Sequence, residues 1–432
     1  MPTLRVDPVP ALSGSLRVPT DKSITHRAIL LSAVSDRTVT VDAPLDSEDT
    51  GATLNAVEAC RVAVEGHLGD RVVIDGVGLR GLRPAPAIDC CNAGTLMRLL
   101  PALLVGNPAD NVILDGDDSL RGRPMGRVAR PLHRMGASVF TAPGGTPPLV
   151  VNGPAALRGV RVDLEVASAQ VKSCVLLAGL YAEGETWVSE PTPSRDHTER
   201  MLEAAGVPLL RDGAAVGVRG PVEGLSLPDL RVPGDFSSAA FHLVAAALLA
   251  DPEVRLEGVN LNPLRTGLLP VMERMGADVR VEPGEPVAGE PCGTLVVRRS
   301  GGLRATEVAP EEVPAAIDEL PLVGLLGAFA AGTTVVRGAG ELRVKESDRI
   351  TAVVGALRAL GVRAEERPDG FAVTGGRLLL GGEMHSGGDH RLAMLGAVAG
   401  LASADGVAVG GFEASTVSYP GFARDLATLG AR

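Results

Sequence analysis

The chain has 432 residues, enough for two or three ordinary domains; 45% of them are hydrophobic but only 2% aromatic, so Leu, Val and Ala must fill its cores. Its formal charge of −11 excludes partners that demand a net basic face, such as nucleic acid or an anionic membrane, and any anionic ligand must be met by a local cluster of cations. The five cysteines (Cys60, Cys90, Cys91, Cys174, Cys292) show neither metal-type spacing nor an even disulfide count. With no basic-then-apolar leader and no apolar run near the ~18 residues of a membrane helix, a cytoplasmic protein is expected.

In chain order, Arg17-Val18-Pro19-Thr20 reads as a strand broken by proline, leading into a helix that opens on Asp21-Lys22-Ser23-Ile24-Thr25-His26-Arg27. Lys22 and Arg27 have no part in the core there, since Ile24, Ile29, Leu30 and Leu31 supply it. A second helix opens on Cys90-Cys91-Asn92-Ala93-Gly94-Thr95, where Gly94 lets a ligand approach the backbone and Asn92 and Thr95 also suit capping. Gly116 to Met125 follows, with Pro124 expected in the first turn of the next helix, fixing Arg123 at its entrance. The third opening, Ser168-Ala169-Gln170-Val171-Lys172-Ser173, starts neutral and suits hydrogen bonds to hydroxyl or phosphate oxygens; Ser194-Arg195-Asp196-His197-Thr198-Glu199 comes after it. Leu230-Arg231-Val232-Pro233-Gly234-Asp235 repeats the strand–proline–polar pattern, and Asp318-Glu319 opens a markedly apolar helix. Glu341 to Arg349 packs six charged residues into nine positions before a helix-like run, and Gly388-Asp389-His390-Arg391 begins the last helix.

These openings, near Asp21, Asn92, Ser168, Asp235, Asp318 and Asp389, recur at intervals of 71, 76, 67, 83 and 71 residues. Each starts the same plan of helix, strand, amphipathic helix and strand, and the second helix tends to close on a phrase such as Met135-Gly136, Met275-Gly276 or Leu360-Gly361. A period near 70 suits a small α/β subdomain rather than a solenoid repeat. Six copies divide naturally into two domains of three, residues 1–19 plus 235–432 and residues 20–234, hinged by two chain crossings at the proline-broken strands. Domains joined in that way can close on a ligand; one continuous array of six is the alternative.

Helix N-termini favour anions, and Lys22, Arg27, Arg123, Arg195, Lys345, Arg349 and Arg391 place seven cations at repeat junctions of an acidic chain. A phosphate carries about −1.5 to −2 charges and a carboxylate one more, so two phosphorylated carboxylic acids would balance such a cluster. Asp318, Glu346 and Asp348 remain for proton transfer or for orienting the cations.

The ordered motifs DKSITHR, NAGTLMRLL, SLRGRPM, SAQVKS, SRDHTE, LRVKESDR and GDHRLAM resemble those of the EPSP synthase (3-phosphoshikimate 1-carboxyvinyltransferase) family, from near Leu16 to near Phe422. The resemblance implies an α/β fold of two similar domains, each of three βαβαββ units in an inside-out barrel with inward-facing helices. It also implies a reaction: the 5-hydroxyl of shikimate 3-phosphate adds to phosphoenolpyruvate, and phosphate is then eliminated without metal or organic cofactor. By motif matching Asp318 would be the base, Glu346 the acid, and Lys22 would touch both substrates. Ser23, Arg27, Ser168, Ala169, Gln170, Arg195 and Lys345, with Asp318, would hold shikimate 3-phosphate; Gly94, Arg123, Arg349 and Arg391 would hold phosphoenolpyruvate. A monomer is expected, with these small molecules as its partners, and glyphosate would compete for the phosphoenolpyruvate position.

One departure is visible: Val417-Ser418-Tyr419-Pro420 stands where some members place Lys before Thr-Phe-Pro. The nearest rival, the transferase acting on UDP-N-acetylglucosamine, uses a Cys in the loop before the matching Arg-Pro, and Gly116 to Arg123 has none. A non-catalytic binding protein on the same scaffold would be expected to lose an acid or a cation from the cluster. A metalloenzyme built on His385 and His390 is weaker still, because a Gly-rich segment separates them.

Overall fold

The computed structural model describes residues 3–376 and 378–430, which form two compact units. The N-unit is Thr20–Val232 with Val287–Glu290; the C-unit comprises the chain up to Pro19, Pro233–Pro286 and the chain from Pro291. The second crossing thus falls two residues earlier than the sequence suggested. Gly234 N already donates to Gly258 O, and Asp235 N to Pro19 O, each at 2.8 Å within the C-unit. The excursion Val287–Glu290 was not anticipated at all.

Among the described residues there are six sheets, three per unit. In the second sheet of the N-unit, Ala87–Asp89 runs parallel to Ala109–Asp115, which pairs antiparallel with Thr146–Gly153, and Ser138–Ala142 completes the edge. The other four-stranded sheets share that order and those directions. Crossing strands close the set. Leu230–Arg231 lies parallel to Thr38–Asp42 in the N-unit, and Leu12–Arg17 lies parallel to Ala250–Asn260 in the C-unit. The sixth sheet has three strands, and its edge is Thr3–Val6 from the start of the chain.

Burial explains the layering. Strands such as Arg71–Asp75 alternate, with Val72 and Ile74 buried and their neighbours outward, so each sheet offers one apolar face. The helices that open on the polar clusters are instead buried all round: Phe236–Leu249, Leu320–Phe329 and His390–Leu401 expose almost nothing. Such helices must lie inside a unit, with the sheets outside them. The low aromatic content fits, because Ala and Gly on these helices allow close approach. The closing phrases behave as expected, with φ of +99° at Gly136 and +84° at both Gly276 and Gly361.

Candidate active site

In the N-unit, helix Lys22–Ala33 is capped by Asp21, whose carboxylate accepts from Ile24 N at 2.9 Å. The first turn thereby holds Lys22 and Ser23 at the positive end of the helix. Lys22 Nζ pairs with Asp49 Oδ2 at 2.9 Å. One turn on, Arg27 is buried and donates from Nη1 to Ser23 O (2.9 Å), from Nε to Thr198 Oγ1 (2.7 Å) and from Nη2 to Ser173 Oγ (3.0 Å). Burial pulls its guanidinium down to about 10, against the opposing pull of Glu199 and Asp21, so it stays charged at neutral pH. His26 is different: burial holds it at about 3, neutral, with Nδ1 2.6 Å from Thr53 Oγ1.

Helix Gly94–Leu104 has no side-chain cap. Asn92 does not cap it, as the sequence allowed; Asn92 Nδ2 donates to Asp117 Oδ2 (2.7 Å), and its Oδ1 accepts from Arg123 Nη2 (2.6 Å). Nor does Thr95, whose hydroxyl accepts from Gln170 Nε2 at 2.9 Å. Gly94 N donates to Asn92 O at 2.9 Å, and two guanidinium groups flank the glycine. A Cβ on Gly94 would lie 2.9 Å from Arg123 Nη1 and 3.0 Å from Arg98 Nη1. Arg98, which sequence reasoning passed over, sits one turn along the helix and donates to Gln170 Oε1 at 2.7 Å. Pro124 is not in the next helix: Asp118–Arg121 forms a short helix of its own and the following one starts at Gly126.

Ser168 caps helix Ala169–Gly179 through Val171 N (3.4 Å), while Ser168 N donates to Glu190 Oε1 (2.8 Å). Lys172 is buried between Glu190 (2.9 Å) and Glu199 (2.8 Å). Burial works to lower its ammonium, but the two carboxylates outweigh it and raise the group, making Lys172 an internal strut. Arg195 is half-buried in the loop before helix His197–Ala204.

The C-unit carries the carboxylates. Asp318 precedes helix Leu320–Phe329 and is 8% exposed. Its Oδ1 faces Lys345 Nζ and Arg349 Nη1, both at 3.6 Å, and its Oδ2 faces Arg391 Nη2 at 3.5 Å and Arg265 Nη1 at 3.6 Å. Four cations thus converge on one acid. Arg265 was not expected; it comes from the turn after strand Ala250–Asn260 and pairs with Asp235 Oδ1 at 2.8 Å. Glu346 Oε2 lies 2.5 Å from Arg349 Nη2 and keeps about a fifth of its side chain exposed. Burial works to lower the Arg349 guanidinium, but Asp389, Glu346 and Asp318 outweigh it and raise the group well above its ordinary value.

Asp348 does not join this group. It caps helix Arg349–Ala359 and pairs with Arg343 at 2.7 Å. Although burial opposes it, its bonds to Thr351 and Arg343 hold its carboxyl low, so it is a capping residue. Val417 ends a 3₁₀ turn, Phe412–Val417, and no cation stands beside it in Val417-Ser418-Tyr419-Pro420. Tyr419 is buried, with its hydroxyl donating to Asp425 Oδ2 at 2.8 Å and 2.9 Å from His242 Nε2.

The profile of the family described as EPSP synthase (3-phosphoshikimate 1-carboxyvinyltransferase) matches residues 6–426. The chain belongs to the EPSP synthase family. The 3-phosphoshikimate 1-carboxyvinyltransferase of Halorhodospira halophila is 48% identical over 427 residues, 99% of this chain and 96% of that protein. That of Nitrosococcus oceani is 47% identical over 418 residues, 96% and 93% of the two chains. The EPSP synthase structure from Acinetobacter baumannii superposes with a TM-score of 0.88 at 41% identity, over 99% of this chain and 98% of that one. The enolpyruvyl transferase NikO from Streptomyces tendae shares the fold, with a TM-score of 0.78 at 19% identity. The α/β architecture of two three-sheet units is therefore that of the EPSP synthases and their enolpyruvyl transferase relatives.

Among the EPSP synthase motifs, the structure brings Gly94, Arg123 and Gln170 together through Arg98 and Thr95 in the N-unit. Asp318, Lys345, Glu346, Arg349 and Arg391 form one network in the C-unit. Arg98 had a signal in the sequence, four residues after Gly94 on the same helix face; Arg265 had none, since its turn carries no other charge.

Proposed function

We infer that the protein transfers the enolpyruvyl group of phosphoenolpyruvate to the 5-hydroxyl of shikimate 3-phosphate, giving 5-enolpyruvylshikimate 3-phosphate and phosphate. This is the shikimate-pathway step towards chorismate and the aromatic amino acids. The observation that carries the reading is the setting of Asp318, an acid 8% exposed and faced by Lys345, Arg349, Arg391 and Arg265 at 3.5 to 3.6 Å. Relatives about 47% identical along the whole chain, named for this reaction, support it.

In the proposed mechanism Lys22, Ser23, Arg27, Ser168, the Ala169 amide, Gln170, Arg195 and Lys345 hold shikimate 3-phosphate. Lys22 also reaches phosphoenolpyruvate, as do Gly94, Arg123, Arg349 and Arg391. Arg98 belongs beside Arg123, because both guanidinium groups border the same glycine. Asp318 accepts the proton of the 5-hydroxyl. Glu346 protonates the methylene carbon of phosphoenolpyruvate, and the hydroxyl oxygen bonds to C2. In the second half Glu346 takes a proton back from the new methyl group, and the C2–O bond to phosphate breaks. Prearranged cations stabilise charge as it develops, and holding both reactants in place removes the entropic cost of their encounter. A carboxylate such as Glu346, close to a guanidinium yet partly open to solvent, suits a group that both gives and takes a proton.

Cytoplasmic location fits the five cysteines, all unpaired among the described residues. Among those residues no helix is long and apolar enough to cross a membrane. We take the enzyme to act as a monomer.

The test is phosphate release with both substrates present, each omitted in turn, and with UDP-N-acetylglucosamine in place of shikimate 3-phosphate. Turnover needs both substrates in this reading. Turnover with the nucleotide sugar alone would overturn it.

A further inference from the structure

The hairpin joining strands Asp278–Pro283 and Cys292–Arg298 belongs to a C-unit sheet, yet its tip, Val287–Glu290, packs as part of the N-unit. The tip is a tight turn. Val287 N donates to Glu290 O and Glu290 N to Val287 O, both at 2.9 Å, with φ of +53° at Ala288 and +75° at Gly289. Positive φ at both central residues defines a two-residue hairpin turn in which alanine is strained, and such strain persists only where surrounding contacts enforce it.

Those contacts all go to one place. Glu290 is 1% exposed, and its Oε1 lies 2.6 Å from Nδ1 of the buried His197. Arg200 donates from Nη1 to Gly289 O at 2.9 Å, with Nε 3.7 Å from Glu290 Oε2 and 3.0 Å from Asp196 Oδ1. His197 and Arg200 begin helix His197–Ala204, immediately after Arg195. Between them Thr198 accepts from Arg27 Nε at 2.7 Å and donates to Ser173 Oγ at 2.7 Å, and Glu199 binds Lys172 at 2.8 Å. Every residue of this first turn is tied down, and from outside the Thr20–Val232 segment Glu290 holds His197 and Arg200 by its side chain while Gly289 O holds Arg200.

We propose that Glu290 is a positioning residue for the shikimate 3-phosphate subsite: by holding His197 and Arg200 it fixes the turn that orients Arg27 and presents Arg195. The idea rests on the assignment of Arg27 and Arg195 to that substrate. Electrostatics agree, since Glu290 also favours the charged form of the Arg27 guanidinium, which burial opposes. A turn held only by its own helix would leave a buried arginine free to choose among partners. A carboxylate brought in by a strained hairpin removes that freedom before substrate arrives.

The experiment uses the full chain with Glu290→Ala and the isosteric Glu290→Gln, which keeps an acceptor for His197 but loses the charge facing Arg200. Arg27→Ala and Arg195→Ala serve as reference variants. Shikimate 3-phosphate binding is titrated without phosphoenolpyruvate, and both KM values and kcat are measured. Glu290→Ala is expected to weaken shikimate 3-phosphate binding by about tenfold, and Glu290→Gln by less, where tenfold corresponds to about 1.4 kcal/mol. The phosphoenolpyruvate KM at saturating shikimate 3-phosphate should hold within about twofold, a split that general loss of stability would not produce. If Glu290→Ala fails to fold, Glu290→Gln alone decides. Unaltered binding in the Glu290 variants, where Arg195→Ala or Arg27→Ala weakens it, overturns the proposal. Unaltered binding in both arginine variants overturns the subsite assignment itself, and the proposal with it.

Discussion

Arg349 and Asp389 form an ion pair with Nε 2.7 Å from Oδ2, and their side chains are 1% and 0% exposed. Ser347 Oγ adds a second donor to the same carboxylate at 2.9 Å, and Asp389 also caps helix His390–Leu401 through Arg391 N at 2.9 Å. One buried acid thus fixes two arginines that face Asp318, one through its side chain and one through its backbone.

Burial works to raise the Asp389 carboxyl, but Arg349 and His390 outweigh it and hold it below the ordinary range. A carboxyl depressed in the folded state contributes stability above its unfolded value, about 3.9, and loses it as pH falls through that value towards the folded one. Asp389→Asn should therefore flatten the acid limb of a Tm-against-pH curve. It should also lower Tm near neutral pH, because Arg349 keeps Glu346 but loses the charged acceptor of its Nε, a loss of about 1.5 to 3 kcal/mol. A neutral-pH Tm equal to wild type would show that the pair adds nothing to folding.

For Asp318→Asn and Glu346→Gln, kcat is expected to fall by about two to four orders of magnitude. Binding of shikimate 3-phosphate should largely survive. Asn and Gln are nearly isosteric, so circular dichroism should stay close to wild type. Either variant turning over at a near-normal rate has no place for that residue in proton transfer.

The third prediction concerns Gly94, where an added methyl carbon would come within 2.9 Å of Arg123 Nη1 and 3.0 Å of Arg98 Nη1. Both atoms are ends of flexible side chains, so Gly94→Ala should fold normally while pushing one or both guanidinium groups aside. Glyphosate is expected to inhibit the parent enzyme competitively with phosphoenolpyruvate. In the variant its inhibition constant should rise by a larger factor than the phosphoenolpyruvate KM, because a tight site tolerates extra volume worst for the longer ligand. Equal increases would mean Gly94 does not line the end of the pocket that separates the two.

Exhaustive chelation should leave kcat unchanged. The one group of metal-capable donors found among the described residues is Asp196, His197 and Glu290, within 4.8 Å of one another. Arg200 Nε, 3.0 Å from Asp196 and 3.7 Å from Glu290, already supplies a cation there. His385 and His390 are not part of it: His385 ends strand Gly382–His385 and His390 opens the following helix. Activity lost on chelation and restored by a divalent ion would contradict this.

Much of the site was legible because its residues sit at helix starts, which local sequence marks. Asp21, Ser168, Asp235 and Asp389 all accept the amide bonds expected of caps, and Lys22, Arg349 and Arg391 follow such caps within two positions. Asn92 and Thr95 have the composition of caps but bind Asp117, Arg123 and Gln170 instead, a choice made by residues far along the chain. Asp348 shows the reverse: it appeared free for chemistry and proves to be a cap held by Arg343. Short-range signals cannot tell an acid aimed at a substrate from one aimed at its own helix.

By itself the sequence determined the six-fold repeat, its α/β plan and the family, because periodicity, capping and glycine stops depend on neighbours a few residues apart. It also determined that cations recur where those helices begin. Only the tertiary structure decided that Arg265 faces Asp318, that Arg98 shares Gly94 with Arg123, and that Glu290 reaches His197 from 93 positions along the chain. Side chains so far apart in sequence meet only after the sheets have closed around their helices. Which charges then face one another is set by packing, to which local sequence is blind.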